Sequence, residues 1–178
     1  RRKQLLEQMG FEVLVDAIDI EESFPKDLDI ECVAEYLAIK KSENYIKEIE
    51  DNSILVTADT IVVIDGAILG KPKNEQEAKD FLRLLSFKSH KVITGCCLRN
   101  NKNITRHFSQ ETIVKFKELT EEEIDYYVNK FKPFDKAGAY GIQEWIGTMG
   151  IENIQGDYYN VVGFPCNRFF KLAKEIAE

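Results

Sequence analysis

Asp59, Thr60, Lys71, Lys41, Gln143, Glu21, Glu22, Arg1 and Arg2 are the side chains whose types and settings could carry chemistry. Asp59 and Thr60 interrupt the apolar run "LVTADTIVVID" (55–65). An unpaired buried carboxylate is expensive. Asp59 is therefore either a strand-end carboxylate bonded to a neighbouring loop, or a metal ligand or general base facing a cleft. On a regular strand Thr60 points to the opposite face; a bulge or a strand end would let both contribute. Lys71 stands between Gly70 and Pro72, so its direction is controlled. It reads as a solvated lysine or as a point charge for phosphate. In "DKAGAYGIQ" (135–143), Gly138 and Gly141 permit close backbone approach and Lys136 adds a cation. Gln143 ends that stretch with an amide, which offers both donor and acceptor to a nucleobase edge.

The remaining groups each have two readings. Arg1, Arg2 and Lys3 crowd cations at a helix start, where they oppose the dipole; they suit a bound phosphate or a solvated terminus. Glu21 and Glu22 are a surface pair or join Asp59 in holding a divalent cation. Lys41 lies on or near the apolar side of a helix and can snorkel to solvent. Together these make several cations, a few carboxylates and glycine-shaped loops, without a Ser–His or Cys–His nucleophile pair. That inventory suits a triphosphate with Mg²⁺, attacked by water.

The elements that must carry these groups follow from periodicity. Leu5, Leu6 and Met9 give a helix over 2–9, stopped at Gly10. "FEVLVDAIDI" (11–20) alternates loosely and predicts a strand. Ile30, Val33, Ala34, Leu37 and Ala38 predict a helix from Asp29 to about Ile49. Two strands joined at Asp65-Gly66 make a hairpin. Asn74 with Glu77 opens a helix. "HKVITGCCLRN" and "NITRHFSQETIVKFKEL" read as strands. Thr120 with Glu123 opens another helix, and a last one follows Pro165. The glycine-rich segment 132–165 shows no long period, and irregular segments of that kind are often functional.

Composition bounds the rest. The 178 residues suffice for one sizeable α/β domain or two closely joined lobes. Hydrophobic residues make up 44% and aromatics 11%, enough for a real core. With 24 Lys+Arg against 31 Asp+Glu the net charge is −7, which argues against nucleic acid or an anionic membrane as the main partner. Cys32, Cys96, Cys97 and Cys166 lack metal-finger spacing and read as reduced thiols of a cytoplasmic protein. Two histidines exclude a His-rich metal site. There is no G-x-G-x-x-G after a strand and no G-x-x-x-x-G-K-[ST].

Six blocks in order carry a resemblance: "ADTIV" (58–62), "LGKP" (69–72), "SHKVITG" (89–95), "ETIVKF" (111–116), "DKAGAYGIQ" (135–143) and "GDYYNVVGFP" (156–165). They resemble the signature blocks of the Maf family of nucleoside triphosphate pyrophosphatases, in the inosine triphosphatase superfamily. The resemblance implies a single domain over 1–178: an α/β fold with an elongated mixed β-sheet, flanking helices and two lobes around a central cleft. It implies hydrolysis of a nucleoside triphosphate to the monophosphate and pyrophosphate, with Mg²⁺ or Mn²⁺, by a cytoplasmic homodimer linked to septum formation.

Residue by residue, Asp59 matches the family's catalytic aspartate and also a metal position. Glu21 and Glu22 match an acidic pair associated with metal and water. Lys41 and Lys71 match substrate-binding lysines. Arg1 and Arg2 match the end of an S-x-S-P-R-R phosphate loop, whose first half does not precede Arg1 here; that half and the strand before it are expected upstream. Arg1, Thr60 and Gln143 match positions tied to base selection. Thr60 after the aspartate resembles the branch acting on dTTP and UTP. The competing expectations are an inosine or xanthosine triphosphate pyrophosphatase, and a non-catalytic nucleotide-binding regulator of cell division.

Overall fold

A computed structural model describes residues 1–17 and 20–177. The chain divides into two compact units. One comprises residues 1–60, 94–110 and 163–178; the other comprises 61–93 and 111–162. Three of the four divisions fall inside strands, and the fourth follows Val162. The sheet is five-stranded, in the order β2-β1-β3-β4-β5: β1 Ile54–Ile64, β2 Ala67–Leu69, β3 Ser89–Asn100, β4 Thr105–Phe116 and β5 Ile151–Gln155. Helices accompany it, so the expected α/β class holds.

In the first unit, α1 (Arg2–Gln8) buries Leu5. A 3-10 turn at Ile30–Cys32 is capped by the Asp29 side chain and leads into α2 (Val33–Glu43). Val33, Ala34, Leu37 and Ala38 form the buried side of α2. The helix ends sooner than its sequence pattern predicts, because the Asn44 side-chain amide donates to the Lys40 carbonyl at 2.8 Å and closes the last turn. Two contacts seat α2 on the strands. Thr57 Oγ1 donates to the Ala38 carbonyl at 2.7 Å. Gly95 on β3 approaches Ala34 so closely that a Cβ there would stand 2.3 Å from its backbone. The last helix, α7 (Cys166–Ala177), buries Phe169, Ala173 and Ile176 at helical spacing. Phe164 and Phe11 pack on the Phe169 ring at 4.9 and 5.6 Å between centroids.

The strand predicted over 11–20 is not formed in residues 11–17, and Ile18 and Asp19 lie outside the described residues. Leu14 and Val15 are 86% and 71% exposed. Only Phe11 and Val13 are partly buried and no residue of 11–17 is fully so, and strand propensity alone does not hold a strand.

The second unit has its own core. Val62, Ile64 and Leu69 of the hairpin, Val92, Val114 and Phe116 of β3 and β4, and the apolar sides of two helices meet there. The helices are α3 (Glu75–Leu85) and α4 (Glu121–Phe131). Asn74 Oδ1 accepts from the Glu77 backbone, and Thr120 with Glu123 forms a full capping box. The β1–β2 hairpin pairs Val62 with Leu69 and Ile64 with Ala67 around Asp65 and Gly66, both with positive φ. That is the backbone a two-residue primed turn demands. β4 and β5 are likewise antiparallel. The segment 132–165 resolves into a 3-10 turn at Ala137–Ala139, α5 (Trp145–Gly150), β5 and α6 (Tyr158–Val162).

Candidate active site

The first unit holds seven of the nine singled-out residues, and side-chain hydrogen bonds join five of them, Glu22, Lys41 and Asp59 in one set and Arg2 with Thr60 in another. Asp59 sits near the middle of β1, and Lys41 in the last turn of α2, which Thr57 and Gly95 hold in place. Lys41 Nζ donates to Asp59 Oδ1 at 2.6 Å and to Glu22 Oε1 at 2.7 Å. The Asp59 and Lys41 side chains are only 14% and 18% exposed, whereas that of Glu22 is 50% exposed. The pairing answers the cost of a shielded carboxylate inside an apolar strand. Lysine has three ammonium protons, so one remains beyond those used on the two carboxylates.

Lys40 acts beside it. Its ammonium donates to the carbonyls of Glu21 and Ser23 at 2.9 and 2.8 Å and to Ser23 Oγ at 3.0 Å. The loop carrying Glu22 is thus tied to α2 through its backbone. Sequence reading passed Lys40 over, because its acceptors are main-chain oxygens in a loop that shows no pattern.

Thr60 follows Asp59 but reaches other partners. Arg2 Nη2 donates to Thr60 Oγ1 at 3.2 Å, and Arg2 Nε donates to the Gly163 carbonyl at 3.0 Å. Thr60 Oγ1 and Thr94 Oγ1 share a hydrogen bond of 2.9 Å. Alternation along β1 accounts for the division: Thr57 and Asp59, two residues apart, both meet α2, while Thr60 meets α1 and β3. Burial draws the Arg2 guanidinium below its usual pKa, and the Asp59 and Glu22 charges pull the other way. The arginine that donates to Thr60 here is Arg2, and Arg1 is exposed at the start of the helix.

Glu21 contributes its carbonyl to Lys40, and its side chain is exposed. Among the described residues no three His, Cys, Asp or Glu side chains form a metal cluster. Glu22 and Asp59 do converge on one cation, the Lys41 ammonium. Two hard carboxylates are the protein share that Mg²⁺ ordinarily takes when substrate phosphates complete its shell, so this donor pair fits such an ion.

Lys71 and Gln143 belong to the second unit, and both are exposed. Their segments are tied together: the Gly138 N–H donates to the Gly70 carbonyl at 3.1 Å. Gly138 has φ +69°, and a Cβ there would press on Val62 at 3.1 Å. Beside Gln143, Glu144 accepts a short hydrogen bond from the buried Tyr127 hydroxyl and pairs with Lys136 at 3.1 Å. The same hydroxyl accepts from the Gly141 N–H at 3.0 Å. A buried tyrosine, a glutamate and a lysine thus fix the backbone that presents Gln143.

Known proteins match the sequence along nearly its whole length. The family model described as "Maf-like protein" matches residues 1–176. A protein named dTTP/UTP pyrophosphatase from Porphyromonas gingivalis strain ATCC 33277 is 45% identical, over 100% of this chain and 90% of its own length. One of the same name from Phocaeicola vulgatus is 45% identical, over 99% of this chain and 91% of its own. Another from Christiangramia forsetii is 44% identical, over 99% and 89%. On a match that runs through every block from Ala58 to Pro165, the chain belongs to the Maf family.

Proposed function

We propose that this protein hydrolyses dTTP and UTP to the nucleoside monophosphate and pyrophosphate. The observation that carries the reading is the shielded Asp59 carboxylate paired with Lys41 and Glu22, with Thr60 next in the chain held by Arg2. The name dTTP/UTP pyrophosphatase borne by the three relatives supports it.

In the proposed reaction Asp59 accepts a proton from the attacking water. The water oxygen bonds to the α-phosphorus, the bond from that phosphorus to the bridging oxygen breaks, and pyrophosphate leaves with the electron pair. Lys41 keeps Asp59 aimed and offers its third proton to a phosphate oxygen. Glu22 and Asp59 would hold a divalent cation, which when bound neutralises phosphate charge; the exposed Glu21 is a candidate for its outer shell. Lys71 and Arg1 bind phosphate. Thr60, held by Arg2, and Gln143 read the base. The family resemblance also supports a homodimer acting in the cytoplasm. The charge of −7 speaks against nucleic acid or an anionic membrane as the main partner, and among the described residues no helix is long and apolar enough to cross a membrane.

Pyrophosphate release from dTTP, UTP, dCTP, CTP, dATP, GTP and ITP with Mg²⁺ tests the reading. Fastest turnover of dTTP and UTP is expected. Preference for ITP would move the protein to the deaminated-purine enzymes, and no turnover at all would leave a nucleotide-binding regulator.

A further inference from the structure

Thr94 lies on β3, beside β1 in the sheet, and is fully buried. Its hydroxyl meets the Thr60 hydroxyl at 2.9 Å. A threonine hydroxyl has one proton and two lone pairs. Arginine only donates, so the Arg2 contact at 3.2 Å uses one lone pair of Thr60 Oγ1. The bond to Thr94 then uses either the second lone pair or the proton. In either sense, what Thr60 can still offer a ligand is reduced to one hydrogen-bonding character. The rotamer is fixed as well, because Thr60 Oγ1 is held from α1 and from β3. Arg2 is in turn anchored on the Gly163 carbonyl, where φ is +115°.

We infer that Thr94 is a positioning residue for base selection: through its buried hydroxyl it sets the rotamer and the proton direction of Thr60. The inference rests on the dTTP/UTP reading, in which Thr60 reads the base. Uracil and thymine present a carbonyl oxygen and an N–H where cytosine presents an amino group and a bare nitrogen. A hydroxyl with a fixed donor or acceptor sense separates these edges; a freely rotating one adapts to both. Thr94 touches no reacting atom in this scheme, so its loss alters discrimination more than chemistry.

The test is the ratio of kcat/KM for UTP over CTP, with dTTP over dCTP in parallel, in wild type, Thr94→Val, Thr94→Ala and Thr94→Ser. Thr94→Val keeps the shape and removes the hydroxyl. It is expected to lower the ratio about three- to tenfold, mainly through a higher KM for UTP, on the scale of one lost hydrogen bond. Thr94→Ser restores the hydroxyl and should keep the ratio within about twofold. In a Thr60→Val background, Thr94→Val should leave the ratio unchanged, because the residue it acts through is gone. An unchanged ratio in Thr94→Val, an equal fall in Thr94→Ser, or an undiminished effect in the Thr60→Val background overturns the inference while leaving the proposed activity standing. Unfolding of both Thr94→Val and Thr94→Ala assigns Thr94 a structural role and overturns it too. Wild-type protein that turns over neither UTP nor dTTP defeats the activity itself, and the inference with it.

Discussion

Lys41 Nζ and Asp59 Oδ1 lie 2.6 Å apart, with Glu22 Oε1 at 2.7 Å from the same ammonium. The helix bearing the lysine is fixed to the strand bearing the aspartate, so the pair is preset. Lys41→Met removes the charge and keeps most of the stem. It leaves Asp59 shielded and unpaired, and activity should fall at least about 10²-fold through loss of aim and phosphate contact. Steady-state kinetics at saturating Mg²⁺ measure this. Activity within about twofold of wild type would show that Lys41 is dispensable to the pair.

Gly95 permits that presetting. A Cβ at this position would stand 2.3 Å from the Ala34 carbonyl and the Glu35 nitrogen, all backbone. Gly95→Ala should therefore push α2 off β3 and cost at least about 1–3 kcal/mol. Chemical denaturation gives the stability loss. Turnover should fall further than stability alone explains, because Lys41 moves with α2.

The Tyr127 hydroxyl makes two bonds, to Glu144 and from Gly141 N–H. Tyr127→Phe strands a buried N–H and should cost about 1–3 kcal/mol. Faster amide hydrogen exchange at Gly141 would locate the effect. Since the same backbone presents Gln143, KM for UTP should rise with little change in kcat.

His90 is buried, bonds Tyr140 Oη through Nε2 at 2.7 Å and stacks on Phe116. Its Nδ1 has no hydrogen-bond partner among the described residues. Burial pushes its pKa from 6.5 down to about 4. The sign follows: above pH 6.5 the ring is neutral in both folded and unfolded chains, and its contribution is fully present. Between 6.5 and about 4 the unfolded chain takes up a proton that the native one refuses, so stability falls with pH. By about pH 4 the loss reaches roughly 3 kcal/mol. His90→Gln does not titrate and should show a shallower fall in Tm from pH 7 to 4.5. Equal slopes in the two proteins would contradict the assignment.

Much of this was legible in residue types. Asp65-Gly66 marked the hairpin, Asn74 and Thr120 marked two helix starts, and each reported a local backbone demand that the sequence states directly. The pairing of Lys41 with Asp59 was not readable from spacing; Asp59 stood out inside an apolar run and Lys41 beside the apolar side of a helix, each with two readings, and the family resemblance gave both a role. Thr94 and Lys40 escaped notice because their partners are distant or main-chain. Arg2 reaches across 58 residues to Thr60 and across 161 to Gly163, separations that no local period encodes. The short elements α5, β5 and α6 are five or six residues each, too few for periodicity to show. The run at 11–17 failed in the opposite sense, since its alternation promised a strand where only Phe11 and Val13 are partly buried.

Pyrophosphate release by wild type and Asp59→Asn, with dTTP and UTP against the other triphosphates, is the most direct measurement. The substitution keeps the shape and an acceptor for Lys41 while removing the proposed base, and a positioned base is worth about 10²–10⁴-fold. Wild type should release pyrophosphate fastest from dTTP and UTP, and Asp59→Asn should lose at least about 10²-fold with Tm nearly unchanged. Near-normal turnover by Asp59→Asn, or a wild type that prefers a purine triphosphate, would contradict this reading of the site.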